Sequence, residues 1–503
     1  MTGQSTVSTS DVEDRGRRGS AAAAAVPPAS HGAWEPAADR PDPVELLVQQ
    51  NRTREADLVP VRHGRMMVSP FTFYRGAAKI MASDLSGTPT AGLTVQLCGD
   101  AHLSNFGGFA SPERQLLFGL NDFDETLPGP FEYDVKRMAA SFTIAARNNG
   151  FPSKSIRAVT QESLRAYRSA MAEFAGMRTL NVWYAHMSEA DIQDALQTVQ
   201  KQLSTAGGKG KSGKKDGKQK ELTKSAKVSK TEVAQLAERA LTVTKALRKA
   251  HTRDSLQALS RFAEVVDGRY RIASAPPVVV PLRELHGAWG LSEGEIREVV
   301  EDQFRAYQTS LSADRRLLLE RFRIVDVARK VVGVGSVGTR AFMVLLEGRD
   351  TGDPLFLQVK EATRSVLEAH LPNSRFRTPG QRVVEGQRLM QSASDIFLGW
   401  TKGAQDDRFY YWRQLRDMKA SAVVETMTPI ALTMYARMCG WTLAHAHARS
   451  GDPVALAGYL GDDDAFDRAI TDFSTRYADQ NDSDYRAFMQ AVEDGRIDAV
   501  QGV

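Results

Sequence analysis

The chain has 503 residues, enough for two or three domains or one large two-lobed unit. Its 42% hydrophobic and 25% charged residues are typical of a globular protein and exclude a wholly disordered one. The formal net charge is +4, but residues 201–230 hold ten lysines against Asp216 and Glu221, so the rest of the chain is net acidic. Basic charge confined to one segment does not indicate a nucleic-acid-binding protein.

The cysteine count and the apolar runs favour a cytoplasmic location. Cys98 and Cys439 are too few for a disulfide framework, and no apolar run is long enough to span a bilayer. The N-terminus carries Asp11, Glu13 and Asp14 before a short alanine tract, which is not the pattern of a secretory signal. We therefore expect a soluble cytoplasmic protein without membrane contact, and we do not expect nucleic acid as a partner.

The first half of the chain predicts a helical region with two short strands. Residues 1–42 are rich in Ser, Ala, Pro and Arg without apolar periodicity, so we expect a disordered tail. Helix patterns and caps recur over residues 43–320, with buried strands at 94–98 and 115–120. A Lys- and Gly-rich segment at 205–230 lacks large apolar residues and predicts a flexible insert.

The composition of the chain changes at about residue 321. β-rich runs at 322–334, 341–347 and 355–361 are separated by Gly and Asp turns, so we expect a small antiparallel β lobe over residues 321–420. Helices over 421–503 would complete the helical lobe, which gives an α+β fold overall. The clearest single elements are helices at 131–147, 378–392, 429–449 and 464–492 and an aromatic strand at 409–415.

Polar side chains follow both strands of the helical region. Asp100, His102 and Asn105 come directly after the first strand, and Asp122 and Asp124 directly after the second. Neighbouring strand ends can bring such oxygen ligands together, and these suit Mg²⁺ bound to phosphates. The step from Asp100 to Asn105 is the D-x-x-x-x-N spacing in which the Asp accepts a hydroxyl proton and the Asn holds the metal. An Asx-turn loop bonded only to its own backbone is the plainer alternative.

A glycine-rich loop lies far downstream. Gly333, Gly335 and Gly338 form a G-x-G-x-x-G pattern, but a strand follows it and not the helix that a dinucleotide-binding fold requires. The loop therefore belongs to a hairpin. Its glycines would let the backbone approach phosphate oxygens, and Lys360 on the next strand would neutralise them.

Two other residues near these motifs have open roles. We expect Glu385, on the predicted helix 378–392, to hold Lys360 in place, with Glu361 and Glu368 as alternatives. His102 could contact a phosphate or an acceptor, or it could brace the loop.

Arg75 is a further basic residue upstream of the acidic loops. It could reach an anionic substrate, or it could serve as a helix cap or ion-pair partner.

Three motifs carry a resemblance to known enzymes. Residues 99–105 (GDAHLSN) resemble the G-D-x-H-x-x-N catalytic loop of aminoglycoside phosphotransferases and choline kinases, members of the protein-kinase-like superfamily. Residues 121–124 (NDFD) resemble their metal-binding segment. Residues 130–137 (PFEYDVKR) resemble the helix that follows, whose aspartate, here Asp134, supports the catalytic loop.

The resemblance implies an ATP- and Mg²⁺-dependent phosphotransferase acting on a hydroxyl group of an unidentified small molecule or protein. Because the catalytic-loop motifs here precede the glycine loop, it implies a bilobal protein-kinase-like fold that is circularly permuted. The residues it assigns are Asp100 and His102 for catalysis, Asn105, Asp122 and Asp124 for the metal, and Gly333, Gly335, Gly338, Lys360 and Glu385 for the nucleotide.

The chain also resembles an uncharacterised bacterial family called domain of unknown function 2252, over most of residues 45–490 and most clearly at 66–147. That likeness implies no established activity.

Other activities are compatible with the same residues. Asp100, His102, Asn121 and Asp122 could instead bind two metals in a phosphoesterase. A non-catalytic nucleotide-binding or scaffold protein is a third hypothesis, and transfer of a nucleotidyl group in place of phosphate is a fourth.

Overall fold

The computed structural model describes residues 11–194, 197, 255–285, 292–331, 333–404, 407–415 and 418–502. It confirms an α+β fold with small antiparallel sheets. The helices are Val12–Ala25 (α1), Pro43–Asn51 (α2), Val59–Met66 (α3), Pro70–Gly76 (α4), Ala78–Leu85 (α5), Phe131–Asn148 (α6), Ser153–Gly176 (α7), Thr179–Tyr184 (α8), Ser255–Phe262 (α9), Glu293–Gln308 (α10), Ala313–Leu319 (α11), Pro379–Met390 (α12), Pro429–Ser450 (α13), Pro453–Leu460 (α14) and Ala465–Glu493 (α15). The strands are Thr94–Leu97 (β1), Phe106–Ala110 (β2), Leu116–Leu120 (β3), Leu127–Pro130 (β4), Met187–Ser188 (β5), Ala263–Val266 (β6), Arg269–Ile272 (β7), Val279–Pro281 (β8), Arg323–Lys330 (β9), Ala341–Glu347 (β10), Pro354–Ala362 (β11), Gly399–Lys402 (β12), Phe409–Gln414 (β13) and Ala420–Ser421 (β14).

Long helices form the centre of the helical part. α7 packs against α13 and α6, and α6 also packs against α15. α6 is buried along almost its whole length, because helices surround it and the small sheets contribute to the same apolar core. Two sheets, β1–β4 and β14–β2–β3–β5, contribute Leu97, Phe106 and Leu120 to that core.

A six-stranded antiparallel sheet forms the second part, in the order β12–β13–β11–β10–β9–β8. Helices cover both of its faces. Side chains alternate between the two faces along each strand. In β10, Val344 and Leu346 pack with α10 and α11, whereas Met343 and Leu345 pack with α9. This double burial explains why β10 reads as a continuous apolar run.

The expected disordered tail is wrong over residues 11–42. α1 packs against α14 so closely that a Cβ atom on Gly19 would overlap the backbone oxygen of Ala455. Arg15 also pairs with Asp452 at 2.5 Å. The stability of α1 thus comes from tertiary packing, which its sequence, poor in large apolar residues, does not reveal. Residues 1–10 and the expected insert at 205–230 lie outside the described residues.

The boundary expected at residue 321 also needs correction. Residues 255–285 and 292–319 were assigned to the helical lobe, but α9, α10 and α11 pack on the six-stranded sheet and β8 is its edge strand. In the described part of the chain, no helix is both long and apolar enough to cross a membrane.

Candidate active site

A cavity of about 860 Å³ lies where the helical part meets the six-stranded sheet. This volume is within the range of small-molecule sites. Residues from both parts line it, and they include Asp100, His102, Asn105, Asp122, Asp124, Gly333, Gly335 and Lys360. The structure thus brings eight of the ten sequence-predicted site residues to one cavity, and Gly338 and Glu385 are the two outside its lining.

Lys360 joins the two segments across this cavity. Its Nζ lies 2.6 Å from Asp124 Oδ2 and 3.6 Å from Asp122 Oδ2, although Lys360 and Asp124 are 236 positions apart in the chain. Lys360 is only 2% exposed. Burial disfavours its charged form, but the two carboxylates outweigh burial and raise the pKa of Lys360. The lysine is therefore a fixed cation next to the acidic pair.

The loop that carries Asp100 is held from behind by α6. Asp134 accepts backbone N–H groups from Cys98 at 2.7 Å and Gly99 at 3.0 Å. This confirms that Asp134 supports the loop. Gly99 has a φ of +83°, and a Cβ atom there would overlap the backbone oxygen of Glu125, so only glycine fits where the loop turns.

Asp100 is paired with an arginine at the cavity wall. Arg137 Nε and Nη2 lie 2.8 and 2.7 Å from Asp100 Oδ1, and Arg137 Nη2 also donates to the Tyr74 backbone oxygen. Burial raises the pKa of Asp100, while Arg137 and Arg75 oppose that rise. The other carboxylate oxygen, Oδ2, lies 3.7 Å from His102 Nε2. One side of Asp100 is therefore fixed by the protein and the other is directed toward the histidine.

The pairing of β2 with β3 brings the chain segments that carry Asn105 and Asp122 next to each other. The register places Phe106 opposite Leu120, and the Asn121 N–H donates to the Asn105 backbone oxygen at 2.8 Å. Asn105 Nδ2 donates to the Asp100 backbone oxygen at 2.6 Å, which leaves its amide oxygen as an acceptor. Burial and the neighbouring Asp124 raise the pKa of Asp122, so a cation beside this carboxylate would be favourable.

These residues fit a magnesium ion that is shared with phosphates. Among the described residues, no group of three or more His, Cys, Asp or Glu side chains is arranged to hold a metal. Mg²⁺ at phosphate sites, however, takes one or two carboxylates and completes its shell with phosphate oxygens and water. Asp122 and the amide oxygen of Asn105 are oxygen ligands of the kind that such an ion takes from a protein.

Asp124 is already occupied by protein donors. Its Oδ2 accepts from Lys360 at 2.6 Å and from Ser336 Oγ at 3.1 Å, and its Oδ1 accepts from Tyr411 OH at 2.7 Å. Burial opposes ionisation, but Lys360 and Tyr411 lower the pKa of Asp124 to about 2. In this structure Asp124 organises Lys360 and the glycine loop, and Asp122 is the freer carboxylate of the pair.

The glycine loop connects two antiparallel strands, β9 and β10, as expected for a hairpin. Gly333 and Gly335 line the cavity, and a Cβ atom on Gly333 would meet nothing within 4 Å. Arg54 donates to the backbone oxygens of Gly335 and Val337 and so ties the loop to the helical part. Gly338 is needed for its backbone, with a φ of +88° at the return to β10.

The expected pairing of Glu385 with Lys360 is wrong. Glu385 instead pairs with Arg388, one turn away on α12, at 3.0 Å. The two alternatives fail as well, because Glu361 pairs with Arg408, and Glu368 pairs with Arg364 at 3.1 Å.

α12 contributes to the site through a different residue. Arg382 donates to the backbone oxygens of Asp124 at 2.7 Å and Thr126 at 2.5 Å. The helix therefore positions the acidic segment, and Lys360 is paired with Asp122 and Asp124 and not with a residue of α12.

Comparison with known families identifies the chain at a general level. A family model described as "Uncharacterized protein conserved in bacteria (DUF2252)" matches residues 54–223 and 210–491, well over half of the sequence. The chain belongs to the DUF2252 family. No curated protein and no solved structure shows significant similarity to it.

The sequence patterns did not predict some of the residues at the site of this DUF2252 chain. Tyr411 lies opposite Lys360 in the register of β13 with β11, and Arg413, two residues on, shares its face and donates to the Asn121 backbone oxygen at 3.0 Å. The alternation of β13 would have revealed both if its partner strand had been known. Arg137 is one turn after Asp134 on α6, but the motif at residues 130–137 points to the aspartate alone.

The backbone of the loop that carries Asp100 can be tested by substituting Gly99. We expect Gly99→Ala to destabilise the protein by roughly 2 kcal/mol more than Gly92→Ala. Both glycines have positive φ, +83° and +71°, but a Cβ atom on Gly92 would meet nothing within 4 Å. Urea unfolding of the two variants measures the difference. Equal losses would show that the loop does not pass Glu125 as closely as described.

Glu125 predicts a pH dependence of stability. Burial raises the pKa of this cavity-lining carboxyl from 4.5 to about 7. The folded state thus holds the proton more tightly than the unfolded state does. The stability gained from this tighter binding is complete below about pH 4.5 and is lost as the pH rises through about 7. As the pH is raised from 5 to 8, we expect the free energy of unfolding of Glu125→Gln to rise by about 1–2 kcal/mol relative to that of wild type. Urea unfolding at both pH values, with exposed Glu113→Gln as control, measures this; equal shifts in the two variants would contradict it.

Proposed function

We propose that this protein is an ATP- and Mg²⁺-dependent phosphotransferase that acts on a hydroxyl acceptor and has a circularly permuted, bilobal kinase-like fold. The contact of Lys360 with Asp122 and Asp124 carries the proposal. Two motifs that the resemblance assigned to one phosphate site, and that are far apart in the chain, meet at a single cavity. A cation, a metal-binding carboxylate and a glycine loop at one cavity are the parts that phosphoryl transfer needs.

The end of α13 supports the proposed permutation. In the kinase-like order, a long helix leads into the catalytic loop. Here the Gln96 N–H donates to Ser450 Oγ at 3.1 Å, so the last residue of α13 lies against β1, which leads to Asp100. The helix end and the strand that leads to the loop are thus adjacent in space although Gln96 and Ser450 are 354 positions apart.

The chain's own residues would act as follows. Gly333, Gly335 and Lys360 would bind the phosphates, with Asp124 fixing the lysine. Asp100 would orient the acceptor hydroxyl and accept its proton, because burial makes this carboxylate more basic than a free aspartate. Arg137 would position Asp100.

Asp122 and Asn105 would hold the magnesium ion. When bound, this ion would neutralise charge on the transferred phosphate.

The function is tested by the products formed from ATP. Wild type, Asp100→Asn and Asp122→Asn are incubated with Mg²⁺, ATP and a pool of cellular small molecules and proteins, and products are analysed by mass. We expect a phosphorylated product that depends on both carboxylates, with losses of about 100-fold or more in each variant. The exposed Asp462→Asn is the control and should resemble wild type.

The remaining outcomes are distinct. Nucleotidylated products would show that the protein transfers a nucleotidyl group and not a phosphoryl group. Equal product formation by wild type, Asp100→Asn and Asp122→Asn would refute the proposal. Tightly held Mn, Fe or Zn in the purified protein, with ATP-independent phosphate release, would favour a phosphoesterase.

A further inference from the structure

Arg75 and His102 lie in the cavity wall beside Asp100 and have unused hydrogen-bonding atoms. Arg75 Nε is buried and has no hydrogen-bond partner in the part of the chain that the structure describes. His102 is 4% exposed, and its buried Nδ1 has no partner among the described residues either. A buried polar atom without a hydrogen-bond partner is costly. Arg75 Nε is a donor, and His102 Nδ1 is a donor in one tautomer of the neutral ring, so the two atoms at one cavity indicate a ligand that completes them.

Arg75 and His102 have different charged neighbours from the residues proposed to bind the triphosphate. The carboxylates that act on Arg75 are Glu425 and Asp100, yet Asp100 forms its short ion pair with Arg137. The cations that act most strongly on Asp122 are Lys360, Arg413 and Lys419. The cavity thus has one region of cations around Asp122 and a second region, with Arg75 and Arg137, around Asp100.

The second region is suited to an anion. Burial lowers the pKa of Arg75, and the carboxylates nearby oppose this only partly. Burial and the charges of Arg75 and Arg137 lower the pKa of His102, so the ring is neutral and one nitrogen can donate a hydrogen bond. A guanidinium beside a neutral imidazole is a typical donor set for carboxylate or phosphate oxygens.

We propose that Arg75 and His102 form an acceptor subsite that binds an oxyanion group, carboxylate or phosphate, on the molecule whose hydroxyl lies at Asp100. The identification of the bound molecule as the acceptor rests on the proposed phosphotransferase function. The anion site itself does not depend on that function. The acceptor would then be a hydroxy acid or a phosphorylated alcohol, and amino alcohols with a cationic group would be excluded by the charge of Arg75.

The subsite is tested with ligands that share one carbon skeleton. Glycerol, glycerate, glycerol phosphate and 3-amino-1,2-propanediol are titrated calorimetrically into the full-length protein preloaded with Mg²⁺ and AMP-PNP. We expect one or both anions to bind at least about 10-fold more tightly than glycerol, the cation not to bind, and Arg75→Gln to lose the preference. Comparison of the two anions distinguishes a carboxylate from a phosphate source.

Controls separate this inference from the proposed function. Arg349→Gln removes an arginine whose side chain is 84% exposed, and it should keep the anion preference. Arg75→Lys should keep part of it. If AMP-PNP does not bind but the anion preference and its loss in Arg75→Gln persist, the phosphotransferase proposal fails and the anion site stands.

Stability gives a second readout for Arg75. Because Arg75 is partly buried and forms no ion pair within the described residues, Arg75→Gln should melt no lower than wild type. Equal binding of the four ligands by wild type, no binding of any, or unchanged preference in Arg75→Gln would overturn the subsite. A loss of AMP-PNP affinity in Arg75→Gln as large as in Lys360→Met would place Arg75 on the nucleotide and also overturn it.

Discussion

Lys360→Met is expected to weaken binding of Mg²⁺·AMP-PNP about 100-fold. Methionine fills a similar space but carries no charge, so the phosphates would lose the lysine whose Nζ lies beside Asp122 and Asp124. Loss of one partner from a buried charge pair commonly costs roughly 2–5 kcal/mol, which spans this fold-change. Isothermal titration calorimetry measures the affinity, and ATP-dependent product formation should fall at least as far.

A lysine from another strand of the same sheet is the matched control for Lys360. Lys402 ends β12, its side chain is 57% exposed, and it pairs with Asp407 at 2.8 Å. Lys402→Met should bind Mg²⁺·AMP-PNP as wild type does, because exposed ion pairs contribute little. Equal affinities of Lys360→Met and wild type would mean that the lysine does not face a triphosphate.

Arg137→Met is expected to lower the free energy of unfolding by roughly 3–5 kcal/mol. The substitution leaves the Asp100 carboxylate without its 2.7 Å partner and also removes the guanidinium from the face of Tyr74, where it lies 3.8 Å from the ring centroid. Denaturant unfolding measures the loss. Because Arg137 acts through Asp100, activity in the folded fraction should fall and the pH dependence of kcat should change.

Two further variants make the test of Arg137 specific. Arg147 lies on the same helix and pairs at the surface with Asp479, so Arg147→Met should cost within about 1 kcal/mol. Adding Asp100→Asn to Arg137→Met should recover part of the loss, since the unpaired charge is then gone. A cost for Arg137→Met no greater than for Arg147→Met would show that Asp100 is not held by this arginine.

Much of the secondary structure could be predicted because its signals are local. The helix expected at 131–147 spans residues 131–148, and the one expected at 429–449 spans 429–450. Their apolar spacing and the prolines at their starts do not depend on distant contacts. The hairpin of the glycine loop and the strand of Lys360 were predictable for the same reason.

The failures depend on contacts between distant residues. Glu385 was selected for its position on the predicted helix, but the partner of Lys360 is set by the side of the cavity that β11 faces, and that is Asp124. α1 has no apolar stripe, and its contact with α14 through Gly19 depends on small residues at close approach. The helices α9, α10 and α11 have ordinary helix patterns, which do not tell whether they cover the sheet or the helical core.

The most direct test of the central claim is a crystal structure of the protein grown with Mg²⁺ and AMP-PNP. We expect the triphosphate in the 860 Å³ cavity, with Gly333 and Gly335 along it, Lys360 Nζ within hydrogen-bond distance of a phosphate oxygen, and a magnesium ion between the phosphates and Asp122. Density for the nucleotide at another surface, with this cavity empty under saturating ligand, would contradict the account.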